Sequence, residues 1–408
     1  MEKERSTRSV GLNLFAINAF VYIAMSMYTP YLSAFLQSEG LSASQIGILL
    51  AIGPFAALVI QPLWARLSDA TGKRRLVFSL VALGASAMML TTYIGEGFWH
   101  YFLTIFLYAC FANAIIPLSD AILVSEAHKY HLNYSTLRMG GTIGWSITVY
   151  LGGLLMNRHP NYLFALGSAG YLLLCLLGLC LPRHVDQGEP GVMKHHRKHI
   201  LFQRTPGEER GIFTSKEFIF VLGLAFISQL GTNFNGSFLG MYVMQIGQPR
   251  STIGLLNMIS SLSELPILIL IARINKKTGP LKLLFFACFM LVLRLFCVSR
   301  GLLGTFMLGQ AMQGLTYMIV HFCSVSWLYD NVKEGKLSQA QSILAMLQLG
   351  LASILGNIFG GRIVEALGLQ TAYTAVSGAV FGLTALILAS YLIYKSGEKK
   401  RRLAQGGV

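Results

Sequence analysis

The sequence predicts an all-α membrane protein with twelve transmembrane helices, arranged as two pseudo-symmetric six-helix bundles. Three observations indicate this fold class: a composition too apolar for a water-soluble surface, twelve apolar runs of spanning length, and an internal repeat that relates the two halves. Of the 408 residues, 54% are hydrophobic and only 12% are charged. A soluble domain carries about 25% charged residues, so much of the surface of this chain must face lipid.

Twelve apolar runs follow one another along the chain. Each can cross a hydrocarbon layer of ~30 Å as a helix of about 20 residues. The first run, residues 11–36, exceeds the roughly 7–15 residues of a signal-peptide core, so we interpret it as an uncleaved first span. The runs predict an N-terminal bundle over residues 1–182, a central cytoplasmic loop over 183–216, a C-terminal bundle over 217–395 and a basic cytoplasmic tail over 396–408.

The basic residues are distributed unevenly between the two faces that these spans define. With a cytoplasmic N-terminus, 27 of the 32 Lys and Arg residues fall on the cytoplasmic face, four fall on the other face, and Arg294 lies inside span nine. Cytoplasmic loops of membrane proteins carry such an excess. The asymmetry predicts an integral membrane protein, of a bacterial inner or cell membrane, with both termini in the cytoplasm. It also explains the net charge of +15, so we expect no nucleic-acid partner.

Residues 46–78 and 253–285 form an internal repeat with an offset of 207 and no gap. Each stretch contains an even-numbered span, a tight basic loop and the start of the next span. The shared pairs are Ile46-Gly47 with Ile253-Gly254, Ala65-Arg66 with Ala272-Arg273, Thr71-Gly72 with Thr278-Gly279, and Phe78 with Phe285. The chain is therefore predicted to be a duplicated six-span unit, and parallel repeats of this kind place a binding site near the bilayer midplane.

The loop after span two resembles the signature G-x-x-x-D-[RK]-x-G-x-[RK]-[RK] of the major facilitator superfamily. Residues 65–75 match it at Asp69, Gly72, Arg74 and Arg75, with alanine in place of the first glycine and of the first basic residue. Gly72 permits a tight turn. The resemblance implies that Asp69 and the two arginines form a conformational gate at the cytoplasmic face. The alternative is a basic turn that follows only the positive-inside rule.

Spans four and five are similar to those of the lactose permease-like branch, which includes oligosaccharide and nucleoside proton symporters and phenylpropionate permeases. Asp120 and Arg138 are 18 residues apart, and Trp145 follows Arg138 by seven, as do the sugar-binding carboxylate, arginine and tryptophan of lactose permease. The resemblance implies that these three residues bind substrate, and we expect Asn113 and Gln313 to join them. A carboxylate can accept from hydroxyls while an arginine donates in a fork. The alternative is a structural salt bridge.

Three ionisable residues lie inside spans of the second half: Glu264, Arg294 and His321. Such groups cost at least ~2.5–3.5 kcal/mol at the bilayer centre, so they usually face the bundle interior and pair. The resemblance implies that they form a proton-coupling network, with Glu264 as the protonation site. The alternatives are a plain ion pair and a packing histidine. Gln313 stands where phenylpropionate permeases usually carry His, and Thr316 where lactose permease carries its proton-binding Glu, so the lactose permease mechanism cannot be transferred.

The resemblance covers essentially the whole chain and implies a secondary transporter rather than an enzyme. No G-x-x-x-x-G-K-[ST] loop occurs, so a proton gradient, or alternatively a sodium gradient, would drive uptake. We expect a sugar, a nucleoside or an aromatic acid as substrate, a monomer, and no cofactor or metal. One alternative is a drug or metabolite exporter of the same fold, although residues 144–148 lack the proline of the usual exporter signature. A more distant alternative is an intramembrane enzyme or a receptor.

Overall fold

Helices form most of the described chain. The computed structural model describes residues 2–182, 185–186, 215–332 and 334–405. Span 1 consists of Glu2–Ser26 and the short helix Leu32–Ser38, and span 2 consists of Ala43–Val59 and Gln61–Thr71. Spans 3, 4, 5 and 6 are the helices Arg74–Thr91, Phe98–Lys129, Tyr134–Met156 and Tyr162–Leu179. The predicted central loop, 183–216, lies outside the described residues except for 185–186 and 215–216, and residues 406–408 of the predicted tail also lie outside them.

Spans 7 to 12 include two π-helical segments. Spans 7, 8 and 9 are the helices Lys216–Gln245, Arg250–Thr278 and Pro280–Ser299. Span 10 consists of Leu303–Ala311, the π-helix Gly314–Met318 and Ile319–Asn331. Span 11 consists of Glu334–Ala345, the π-helix Met346–Ala352 and Ser353–Leu367, and span 12 is the helix Leu369–Gln405.

Ten of these helices are long and apolar enough to cross a membrane, counted over the described residues alone. Two predicted spans fall below that length for structural reasons. Span 1 contains the shorter apolar helix Val10–Ser26, and span 10 is interrupted by a turn at Met312, just after Leu303–Ala311. The predicted fold class, an all-α membrane protein of twelve spans, is confirmed.

Span 1 ends earlier than the apolar run predicts. Its helix stops at Ser26, turn residues follow, and a separate short helix begins at Leu32. Pro30 explains the break, because proline has no N–H to donate to the carbonyl of Ser26 and disfavours helical geometry at the residue before it. The apolar run over residues 11–36 therefore forms two helices separated by a turn rather than one continuous helix.

The chain divides into two compact units. Unit 1 comprises Met1–Lys194, Gly236–Leu262 and Asn357–Ala366, and unit 2 comprises His195–Asn235, Ser263–Gly356 and Leu367–Val408. Spans 7, 8 and 11 each contribute residues to both units. The domain boundaries expected from the sequence stay a prediction.

Unit 1 packs span 1 closely against span 5. A Cβ atom on Gly140 would lie 2.8 Å, and one on Gly144 2.9 Å, from a main-chain carbonyl oxygen of span 1. Asn18 Oδ1 accepts a hydrogen bond from the N–H of Gly141 at 2.9 Å. Small residues let membrane helices approach in this way. The approach brings Tyr22 of span 1 beside Arg138 of span 5.

We expect Gly141→Ala to destabilise unit 1 by about 1–3 kcal/mol, the usual cost of overpacking a filled interior. A Cβ there would overlap the ring of Tyr22 and lie 2.7 Å from Asn18 Oδ1. The thermal unfolding midpoint of the purified protein in detergent measures the effect. Gly382→Ala is the matched control, since no atom lies within 4 Å of a Cβ at that position. Equal midpoints for the two variants would contradict the prediction.

Candidate functional site

Asp120 and Arg138 are joined within unit 1. Arg138 Nη1 donates to Asp120 Oδ1 at 2.9 Å. Asp120 lies one turn beyond Pro117 in span 4, and Arg138 lies in the second turn of span 5. The Arg138 and Asp120 side chains remain 40% and 30% exposed, so other polar groups can reach both. The sequence spacing therefore brings the two groups together, while their role in binding stays a prediction.

Tyr22 of span 1 completes this cluster, and the sequence analysis missed it. The guanidinium carbon of Arg138 lies 5.0 Å from the centroid of the Tyr22 ring, within the range of a cation–π interaction. The sequence did contain a signal, because Asn18, Tyr22 and Ser26 recur every four residues and so share one face of the apolar part of the helix. Tyr22 thus holds the guanidinium plane from the side of span 1.

Asn113 is occupied by main-chain contacts. Its Nδ2 donates to Gly53 O and to Ala109 O, both at 3.0 Å. Both amide hydrogens are therefore used, so Asn113 can offer a ligand only the acceptor oxygen of its side chain. The expectation that it binds substrate stays a prediction in this narrower form.

Trp145 is partly buried in span 5. It lies seven residues beyond Arg138 on the same helix, which places it about two turns along the same face. The adjacent Ser146 donates to Ser261 Oγ of span 8 at 3.1 Å. Residues of span 8 therefore meet span 5 beside Trp145 within unit 1, and the binding role of Trp145 stays a prediction.

Arg294 is the centre of a polar cluster in unit 2. Its side chain is only 2% exposed. Nη1 donates to Gln313 Oε1 and, at 3.1 Å, to Thr316 Oγ1, and Nη2 donates to Gln310 Oε1 at 2.9 Å. The buried guanidinium is therefore surrounded by three neutral oxygen acceptors from span 10.

Gln313 connects this guanidinium to Glu264. While its Oε1 accepts from Arg294, its Nε2 donates to Glu264 Oε1 at 3.3 Å. A direct Glu264–Arg294 ion pair was one alternative expected from the sequence, but in the structure the side-chain amide of Gln313 lies between the two charged groups. Because both ends of the amide are engaged, the three side chains form one hydrogen-bonded chain.

The π-helix of span 10 positions these acceptors. Gly314 begins this π-helix, and its N–H donates to Ser263 Oγ of span 8 at 3.1 Å. A Cβ at Gly314 would lie 3.0 Å from the carbonyl carbon of Ser263, so the close approach of spans 8 and 10 requires glycine here. Isolated π-helical turns are frequent at functional sites. Gln313 immediately precedes this π-helix and Thr316 lies within it, so both side chains reach Arg294.

His321 lies further along span 10. Its ring stacks on that of Tyr317, with centroids 6.0 Å apart and an interplanar angle of 15°. The side chain is exposed, whereas Arg294 is buried. The role of His321 in proton coupling stays a prediction.

The loop after span 2 is fastened by a residue that the sequence analysis missed. Gly72 ends the span in a left-handed conformation with φ of 67°. The backbone N–H of Arg75 donates to Asp186 Oδ1 at 2.9 Å, and Arg75 Nε lies 3.3 Å from Asp186 Oδ2. Asp69 is exposed and Arg74 is partly buried. The gating role of Asp69, Gly72, Arg74 and Arg75 stays a prediction, and Asp186 is the carboxylate that holds Arg75 in this structure.

Comparison with protein-family models decides the family. Residues 12–375 match the MFS_1 like family. The chain belongs to this family. The resemblance to the major facilitator superfamily that the sequence carries is thereby confirmed, and with it the classification as a membrane transporter.

Similar proteins include members with different named substrates. The maltose permease of Geobacillus stearothermophilus is 25% identical over 385 residues, which cover 93% of this chain and 94% of the permease. A multi-drug resistance efflux pump PmrA homologue of Lactococcus lactis is 30% identical over 146 residues, 33% of this chain and 35% of the pump. The solved structure of the nucleoside transporter NupG superposes with a TM-score of 0.77 at 16% identity, covering 94% of this chain and 99% of NupG. At that identity, the likeness to NupG establishes the fold alone.

Proposed function

We propose that this MFS_1-like protein imports a neutral sugar by alternating access and proton symport. The observation that carries the proposal is the half-exposed pair of Asp120 and Arg138 with Tyr22 beside it. Asp120 can accept from one sugar hydroxyl, while Arg138 retains N–H groups that donate to another. The aromatic face of Tyr22 offers an apolar surface for the ring carbons of a sugar.

The partners of the two arginines favour a neutral substrate over an aromatic acid. Arg138 already binds Asp120, and Arg294 already donates to three oxygen acceptors. A substrate carboxylate would have to displace Asp120 or break the cluster around Arg294. A sugar hydroxyl can instead join the existing pair, because it both donates and accepts. The similarity to a maltose permease over 93% of the chain supports the same substrate class.

Glu264 is the proposed proton carrier. It is the carboxylate of the buried cluster in unit 2, and its single described donor there, the amide of Gln313, leaves its second oxygen available. Protonation would remove the negative charge that Arg294 faces through Gln313 and so alter the whole chain of hydrogen bonds. His321, about two turns from Gln313, would assist proton entry. The charge asymmetry of the loops supports the proposal that both termini lie in the cytoplasm.

Export is the second candidate function. The 30% identity to an efflux pump homologue over a third of the chain favours it. The absence of proline from residues 144–148 of span 5 argues against it. The direction of substrate movement under an imposed proton gradient separates the two, since an antiporter expels substrate when protons enter.

We expect sugar addition to de-energised vesicles that contain the purified protein to make a weakly buffered medium more alkaline. Symport carries protons inward with the sugar, so the external pH must rise. A panel of maltose, raffinose, lactose and a nucleoside, read with a pH electrode, identifies the substrate class. Glu264→Gln is expected to abolish the pH change, because the amide cannot take up a proton. Sugar entry with no proton movement in the unmodified protein would eliminate symport and leave facilitated transport.

A further inference from the structure

A proline in span 2 leaves one main-chain carbonyl without its helical donor. Pro54 lies inside the helix Ala43–Val59. Because proline has no N–H, the carbonyl of Leu50, four residues earlier, cannot receive the usual helical hydrogen bond. Such a carbonyl needs another donor in a membrane protein, where the lipid core provides none.

Asn357 of span 11 supplies that donor. Its Nδ2 donates to Leu50 O at 3.0 Å, and its Oδ1 accepts from the Ser237 hydroxyl of span 7 at 2.6 Å. The Asn357 side chain is only 3% exposed. All three residues belong to unit 1, although 307 positions separate Asn357 from Leu50. The amide is therefore engaged at both ends, and it joins the second half of the sequence to the first.

Two glycines make this reach possible. Gly47 lies one turn before Leu50, and a Cβ on it would overlap the main-chain oxygen of Asn357. A Cβ on Gly361, one turn beyond Asn357, would lie 3.1 Å from Gly47 Cα. The backbones of spans 2 and 11 thus touch at this point. The short side chain of Asn357 can reach the carbonyl only because the helices are this close.

We propose that Asn357 is a positioning residue of the transport cycle. By donating to the carbonyl that Pro54 leaves free, it keeps spans 2 and 11 together at the end of unit 1 where span 2 begins and span 11 ends. This rests on the proposed alternating access, because spans 2 and 11 must separate there whenever that end opens. When this end of unit 1 opens, the Asn357 side-chain amide loses its hydrogen bond to Leu50 O. A net intramolecular hydrogen bond shifts such an equilibrium by about fivefold, so the bond favours the closed conformation by that factor.

A double-mutant cycle between Asn357 and Pro54 tests the proposal. The readout is hydrogen–deuterium exchange of the full-length protein in lipid nanodiscs, in peptides that cover residues 43–52 and 357–366. Asn357→Ala is expected to speed exchange there by about fivefold, because the open conformation gains population. Pro54→Ala restores a helical donor for Leu50 O. In that background, Asn357→Ala is expected to change exchange by less than about twofold.

Asn233→Ala is the matched control. Asn233 Nδ2 donates to Ser353 Oγ at 2.6 Å, and these residues lie in spans 7 and 11 within unit 2. Removing this bond is expected to leave exchange in residues 43–52 unchanged. If the Asn357→Ala variant does not fold, Asn357→Leu keeps a similar side-chain volume, removes the donor, and enters the same cycle with the same expected coupling to Pro54.

Two results would overturn the proposal. Equal effects of the Asn357 substitution with and without Pro54 would show that Asn357 acts through packing rather than through the carbonyl. No effect in either background would show that the contact does not hold the helices together. Hydrogen–deuterium exchange requires no substrate. If the protein moves no sugar but Asn357 and Pro54 are still coupled, the proposed function is contradicted and the role of Asn357 stands.

Discussion

Arg138→Lys is expected to weaken sugar binding by on the order of 10- to 100-fold, the loss that removing a hydrogen bond to a charged group produces. Arg138 donates to Asp120 at 2.9 Å and lies over the ring of Tyr22 at 5.0 Å. Lysine keeps the positive charge, but its ammonium is a point donor and cannot bind two acceptors in one plane. The planar fork that would bind Asp120 and a sugar hydroxyl at the same time is lost.

Isothermal titration of the purified protein with the transported sugar measures the affinity. Arg158→Lys is the matched control, because Arg158 is exposed in the turn after span 5. The control is expected to bind as the unmodified protein does. An Arg138→Lys variant with unchanged affinity would exclude the pair from the binding site, and the site would have to be sought elsewhere.

Gln313→Leu is expected to destabilise unit 2 by about 3–6 kcal/mol, since it removes hydrogen bonds to two charged groups, worth about 1.5–3 kcal/mol each, and leaves both groups within the protein. Arg294 would lose one of its three acceptors, and Glu264 would lose its amide donor. Leucine has a similar volume, so the loss would come from polarity rather than from a cavity.

The unfolding midpoint in detergent and the sugar-dependent pH change together measure this effect. We expect a lower unfolding midpoint and a smaller sugar-dependent pH change, because no hydrogen-bonded amide then connects Glu264 to Arg294. Gln245→Leu is the matched control, as Gln245 is exposed at the end of span 7. A Gln313→Leu protein with an unchanged midpoint and a full pH response would contradict the role assigned to the amide.

The spans and the first half of the site could be predicted from the sequence because they depend on local patterns. Apolar runs specify membrane helices whatever surrounds them. The 18-residue spacing of Asp120 and Arg138 crosses a single tight connection between consecutive spans. Two groups at comparable depth on adjacent antiparallel helices can meet, which agrees with the family resemblance from which this pair was predicted.

The remaining partners could not be predicted because they depend on distant parts of the chain. The acceptors of Arg294 include Gln310 and Thr316, and their placement depends on a π-helix that no apolar pattern specifies. Asp186 reaches Arg75 from 111 positions away. Asn357 reaches Leu50 from 307 positions away. In each case the polar side chain could have formed hydrogen bonds with many different groups. Only the packing of the helices determines which group lies within reach.

Counterflow of radiolabelled sugar into proteoliposomes tests whether the protein moves sugar by alternating access at the Asp120–Arg138 pair. Vesicles preloaded with unlabelled sugar are diluted into a trace of labelled sugar, with no ion gradient present. Alternating access through the Asp120–Arg138 site predicts that labelled sugar accumulates transiently inside vesicles that contain the unmodified protein. Vesicles that contain Asp120→Asn are expected to show no such accumulation. Absence of accumulation for every sugar in the unmodified protein, or undiminished accumulation in Asp120→Asn, would contradict the account.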